Sequence, residues 1–121
     1  MTSGELKART KRFAVTIVKF VRTLPADPIT REIGMQLVRS SGSVAANYRA
    51  SCRSRSSAEF IAKLGIVEEE ADESGLWLEL LAEDGAASRA QIAPFLDEAD
   101  QLIRIVVASI KTARANARGR S

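Results

Sequence analysis

The sequence contains no histidine, a single cysteine, three prolines and few aromatic residues, 5% of the total. Without histidine it lacks the commonest general base near neutral pH and the commonest zinc ligand. It also cannot build the Glu-x-x-His pairs that hold di-iron centres in ferritin-like bundles. With Cys52 alone, no intramolecular disulfide forms, which suits a reducing cytoplasm. No apolar stretch approaches the roughly 18 residues of a membrane span, and the first residues carry no apolar signal core. A glycine-rich phosphate loop and a cysteine cluster are both missing. The expectation is a cytoplasmic protein without membrane segments that is not an enzyme and has no catalytic residues, cofactor or metal.

What is present favours helix. Apolar residues make up 45% of the 121 and charged residues 27%, close to the globular average, enough for one domain with a real core. Alanine, leucine, glutamate and arginine dominate, and all are good helix formers. β-Branched residues are scattered rather than set in alternating runs, so strands are not expected. Four helical segments read out. Thr2 and Glu5 have capping-box spacing before a helix over 4–24, whose stripe is Leu6, Phe13, Ile17, Phe20, Val21 and Leu24, and Pro25 stops it. Asp27 and Pro28 supply an N-cap and a first-position proline for a helix over 28–51, with Ile29, Ile33, Leu37, Val44 and Tyr48 as its apolar face.

The Ser40-Ser41-Gly42-Ser43 stretch is weak helix, and a loop there would split the second segment. The apolar spacing stays in phase across it, so one helix is expected, with small residues allowing a neighbour to approach. Ser56 and Glu59 open a third helix over 57–83. Phe60, Leu64, Val67, Ala71, Ser74, Leu78 and Leu81 recur at alternating spacings of four and three, a heptad seam, and Gly85 is the expected left-handed stop. Ser88 and Gln91 cap a fourth helix over 89–113, where Pro94 predicts a late start or a kink. A basic tail over 114–121 is expected to fray. Short connections make successive helices antiparallel neighbours, so residues 1–121 are expected to form one all-α, up-down-up-down four-helix bundle.

The net charge is only +3, but it is unevenly distributed. Lys7, Arg9, Lys11, Arg12, Lys19 and Arg22 face one acid, Glu5, in the first 22 residues. Between Glu68 and Asp100 stand eleven carboxylates and one arginine, Arg89, before Arg104, Lys111, Arg114, Arg118 and Arg120 restore positive charge. Such blocks either recruit an anionic partner or pair with one another within a bundle or across subunits. Glu69, Asp72 and Glu73 are close enough to suggest magnesium, but the preferred reading is a solvated or salt-bridged acidic face. Cys52 reads as a small packing residue rather than a nucleophile.

Arg39, Ser43 and Asn47 recur every four residues, a polar row beside the second helix's apolar stripe, followed by Arg49, Arg53 and Arg55. The functional reading makes these arginines, with Lys11 and Arg12, a surface for phosphates or a protein partner. The structural reading ties Arg39 and Asn47 to carboxylates such as Glu69 or Glu73. Trp77 and Leu76 flank the third helix's seam, and with Ile61, Ile66 and Leu80 they make that helix too apolar for one wet face. This favours a homo-oligomer, and Trp77, with Leu76, belongs either to the core or to the subunit contact.

The segments Gln36–Tyr48, Arg53–Phe60 and Leu64–Ser74, with an Arg-Ser…Ser…Asn row followed by Arg…Ser…Glu-Phe, resemble the bacterial four helix bundle protein family. That family includes proteins encoded in intervening sequences of 23S ribosomal RNA genes. The resemblance implies a left-handed bundle assembling as a homopentamer with a central channel, and it makes Arg39, Ser43 and Asn47 motif residues. A related group, the accessory proteins of diversity-generating retroelements, binds nucleic acid and a reverse transcriptase through basic surfaces. Many relatives carry Glu-Gly where this chain has Arg49-Ala50, so any site there is more basic here.

Overall fold

The computed structural model of the chain describes residues 1–119; Arg120 and Ser121 lie outside the described residues. Among the described residues there are four α-helices and no strand: α1 over Ser3–Val21, α2 over Pro28–Ser51, α3 over Ser57–Glu83 and α4 over Arg89–Gly119. Each helix starts at the cap its sequence encodes. Thr2 Oγ1 accepts from Glu5 N while Thr2 N donates to the Glu5 carboxylate, a complete capping box. Ser88 and Gln91 form a second, at 3.1 and 2.8 Å. At α3 the box is shifted by one residue: Ser56 Oγ accepts from Glu59 N, but the Glu59 carboxylate accepts from Arg55 N. Asp27 accepts from both Thr30 N and Thr30 Oγ1, and these bonds hold its carboxyl below the usual carboxylate range.

Three helix termini differ from expectation. α1 ends at Val21 rather than Leu24, and its last residues tighten into three-residue turns, with Thr23 N and Leu24 N donating to the Phe20 and Val21 carbonyls. α4 starts promptly at Arg89, because the Ser88 cap satisfies its first donors before Pro94 is reached. It then continues past 113 to Gly119, since Ala113, Arg114, Ala115 and Arg118 are all strong helix formers. At the end of α3, Gly85 takes φ +88, the left-handed conformation expected of it.

Helices adjacent in sequence pack side by side, α1 on α2, α2 on α3 and α3 on α4, while α1 meets α4 only sparsely and the backbones of the diagonal pairs do not approach closely. This is the antiparallel four-helix bundle. Its seams repeat in steps of four and three: Leu6, Thr10, Phe13, Ile17, Phe20 on α1, and Thr30, Gly34, Leu37, Ser41, Val44, Tyr48, Ser51 on α2. The same steps run through Leu64, Val67, Ala71, Ser74, Leu78 and Leu81 on α3. A repeat of 3.5 residues is the pattern of left-handed supercoiled packing.

The α2 seam corrects the sequence reading at its start. Ile29 is 67% exposed, and Thr30 and Gly34 occupy the seam instead. Space decides this: a Cβ at Gly34 would lie 2.9 Å from Val21 Cγ1, so α1 runs too close for a large side chain there. The Ser40–Ser43 stretch is continuous helix, and its small side chains bring α3 close. Ser40 Oγ and Ser74 Oγ, both fully buried, lie 2.8 Å apart across that contact. The sparse α1–α4 edge is clasped by Arg9, whose Nε and Nη2 donate to the two Glu98 carboxylate oxygens at 2.7 Å, while Nη2 also reaches Gln101. Phe20 and Phe95 stack tilted at 4.9 Å on the same edge.

Candidate functional site

The up-down topology sends the N-termini of α1 and α3 and the C-termini of α2 and α4 to one end of the bundle. The sequence makes that end basic. Arg49 stands in the last turn of α2, Arg53 and Arg55 stand in the α2–α3 connection, and all three are exposed. Among the described residues none of the three forms an ion pair. Arg55 borders an open cavity of about 490 Å³ together with Ser3, Ser51, Ser54, Ser56 and Ser57, with Tyr48 and Phe60 at its apolar side. Ser51 and Ser56 are committed, to the Tyr48 carbonyl and the Glu59 amide respectively. Ser54 Oγ is buried without a hydrogen-bond partner. The partial positive charge of the α1 and α3 N-termini at this end is offset by the partial negative charge of the α2 and α4 C-termini beside them.

Arg49 lines a different concavity, the α1–α2 groove, with Lys7 and Lys11 over a floor of Gly42, Ala45 and Ala46. The small floor lets the three cations approach one strip of surface. The remaining candidates are elsewhere. Arg12 lies on the α1–α4 side, beside Phe13, Pro94 and Phe95. Arg39 sits on the outer α2–α3 face, hydrogen-bonded to Gln36 and 3.7 Å from the Glu73 carboxylate. Asn47 donates to Ser43 at both its carbonyl and its hydroxyl, so the Ser43–Asn47 pair closes on α2 itself and does not reach Glu69. Of the structural tie expected for the row, only the long Arg39–Glu73 contact forms.

The acidic helix is only partly a solvated face. Glu69 and Asp72 are exposed, Glu73 accepts from Trp77 Nε1, and no metal-holding group of three ligands is present among the described residues. Trp77 is half-buried against the core with its N–H satisfied, whereas Leu76 is 49% exposed and Leu80 38%. Ile61 and Ile66 are half-buried. Cys52 is exposed rather than packed, because it is the C-cap of α2, one residue beyond the last seam position, Ser51.

The chain matches the 23S rRNA-intervening sequence protein family model over residues 5–108. It belongs to that family. A crystal structure at 1.70 Å of a protein of unknown function from the S23 ribosomal protein family, from Bacteroides thetaiotaomicron, is similar to it. The identity is 31% and the TM-score 0.85, over 92% of this chain and 99% of that one. No curated protein matches this chain. No enzymatic family is indicated, and no helix among the described residues is long and apolar enough to cross a membrane.

Tyr48, on the seam beside the serine-lined cavity, gives a pH test of how tightly this end is packed. Burial, and then the neighbouring Cys52, push its phenol up to about 12 from 10.0. The folded state therefore holds that proton more tightly than the unfolded chain, so stability is lost as pH rises from about 10 to 12. Stability measured by urea unfolding is expected to decline over that window, and Tyr48→Phe is expected to flatten the decline. An identical decline in the variant would show that Tyr48 ionises as freely folded as unfolded.

Proposed function

We propose that this member of the 23S rRNA-intervening sequence protein family is a non-enzymatic, homo-oligomeric binding module that engages nucleic-acid phosphates with the basic end of its bundle. What supports the reading is one arrangement: Arg49, Arg53 and Arg55, exposed and without ion pairs among the described residues, stand at one end of the bundle, where Arg55 borders the hydroxyl-lined cavity and Arg49 the α1–α2 groove. Arginine forks suit phosphate oxygens, serine hydroxyls can donate to the same ligand, and the α1–α2 groove extends the positive strip through Lys7 and Lys11. The name of the ribosomal protein family that contains its structural relative agrees with a nucleic-acid role. The assembly we propose is a pentamer in the cytoplasm, the first as the family resemblance implies and the second as the lone cysteine suits.

Fluorescence anisotropy with a structured RNA and with a duplex DNA, each at two salt concentrations, tests this. Micromolar binding that weakens steeply with salt is expected, and comparison of the two probes separates RNA from DNA. Absence of binding to both at low salt would overturn the nucleic-acid reading and leave a scaffold whose charge blocks serve assembly with protein partners.

A further inference from the structure

The acidic and basic blocks fold onto different faces of the bundle, and each surrounds an exposed apolar side chain. On one side, the groove between α3 and α4 has Gly75, Leu96 and Ile103 along its floor and the half-exposed Leu76 at its lip. Gly75 opens this groove, since a Cβ there would stand in ordinary contact with Leu96, at 3.9 Å. Its rim carries Asp72, Glu79 and Asp100. Arg104 offsets Asp100, while Asp72 and Glu79 have no ion-pair partner among the described residues.

On another side, the outer face of α1 carries Val15, 43% exposed. Around it, at helical spacings of three, four and seven, stand Arg12, Lys19 and Arg22, all exposed. None of these three forms an ion pair among the described residues. α1 and α3 are diagonal in the bundle without close backbone approach, so the α1 patch and the α3–α4 groove lie on separate surfaces of one chain.

We infer that the α3–α4 groove is the seat of the α1 outer face of a second copy of this chain. Val15 would enter beside Leu76, with Arg12, Lys19 and Arg22 opposite Asp72, Glu79 and Asp100. The charges select this arrangement: groove against groove or helix against helix sets like charges together, whereas groove against helix sets opposites together. A helix laid in an apolar groove with a polar rim is a common mode of recognition. Because the two patches are different surfaces, the contact is heterologous, and repetition closes it into a ring when the rotation permits. The contact leaves Arg49, Arg53 and Arg55 at the bundle end uncovered. It rests on the homo-oligomer reading but not on nucleic-acid binding.

Charge exchange tests the pairing, with mass measured by light scattering and helicity by circular dichroism. The wild-type chain is expected at a multiple of 13.1 kDa. The groove variant Asp72→Lys/Glu79→Lys and the helix variant Arg12→Glu/Lys19→Glu are each expected to fall to the single-chain mass with helicity retained. Combining all four substitutions in one chain is expected to restore the multiple, which a merely misfolded variant would not do. A single-chain mass for the wild type would overturn both this contact and the oligomer reading. An oligomer whose mass survives the separate reversals would overturn this contact alone and leave the groove to a basic helix of another protein. Failure of the four-fold variant to reassemble would likewise overturn it.

Discussion

Replacing Ser40 by leucine is expected to lower the unfolding free energy by about 2–4 kcal/mol, combining overpacking with a lost hydrogen bond. At roughly 3–5 °C per kcal/mol for a domain of this size, thermal unfolding should shift down by on the order of 10 °C. The reason is local. Ser40 and Ser74 are fully buried where α2 and α3 approach, and their hydroxyl oxygens are 2.8 Å apart. A leucine has no room there unless the two helices separate, and separation would strip contacts along the most extensive interface of the bundle. The alanine variants give the contrast. Ser40→Ala leaves Ser74 Oγ still donating to the Glu70 carbonyl, so its cost should be about 1 kcal/mol or less. Ser40→Ala/Ser74→Ala removes both partners together and should cost little more than the single change. Urea unfolding of the three variants distinguishes these cases; a Ser40→Leu protein as stable as wild type would mean that α2 and α3 are not held this close.

Arg49→Ala/Arg53→Ala/Arg55→Ala is expected to weaken nucleic-acid binding roughly a hundredfold or more at 0.1 M salt and to flatten its salt dependence by about two to three units of slope. The estimate takes each guanidinium as one phosphate contact, which releases close to one counterion. All three side chains are exposed, so their loss should leave stability nearly unchanged, and binding is the property that reports on them. Arg39→Ala serves as the comparison, because Arg39 lies on the outer α2–α3 face and leans on Gln36 and Glu73. It should bind nucleic acid within about twofold of wild type if no phosphate contact is lost. Equal losses for Arg39→Ala and the triple variant would point to a diffuse effect of net charge.

Much of the fold could be read from local chemistry. Asp27-Pro28 and the Ser56/Glu59 pair set the first residues of α2 and α3, and Gly85 set the end of α3, because caps and left-handed stops depend on a few adjacent residues. Leu37, Val44 and Tyr48 were legible on the α2 seam, but its start was not, since Thr30 and Gly34 stand there and hydropathy favours Ile29. Each of the six buried serines and threonines among the described residues bonds within its own helix end or turn: Thr10 to the Lys7 carbonyl, Ser40 to that of Leu37, Ser41 to Val38, Ser51 to Tyr48 and Ser74 to Glu70, and Thr30 to the Asp27 carboxylate. A hydroxyl satisfied by its own backbone behaves as a small side chain and can be buried where helices approach. The Ile29 misassignment follows from the same blindness.

The candidate site was legible in residue type but not in grouping. Arg49, Arg53 and Arg55 stand out in the sequence, yet their separation from Arg39, Ser43 and Asn47 depends on which face of α2 meets α1 and which meets α3. The serine-lined cavity was missed because Ser3 is nearly fifty residues from Ser51 and is brought to it only by the antiparallel arrangement of α1 and α2. Its signal was present in the run of serines between Ser51 and Ser57, read only as a connection and a cap.

Amide chemical-shift mapping with a short single-stranded oligonucleotide tests the basic-end interface most directly. Shifts concentrated at Ser3, the C-terminal turn of α2 and residues 53–57, weakening as salt is raised, are the predicted result. Shifts confined to the α3–α4 face, or none at millimolar oligonucleotide and low salt, would contradict it.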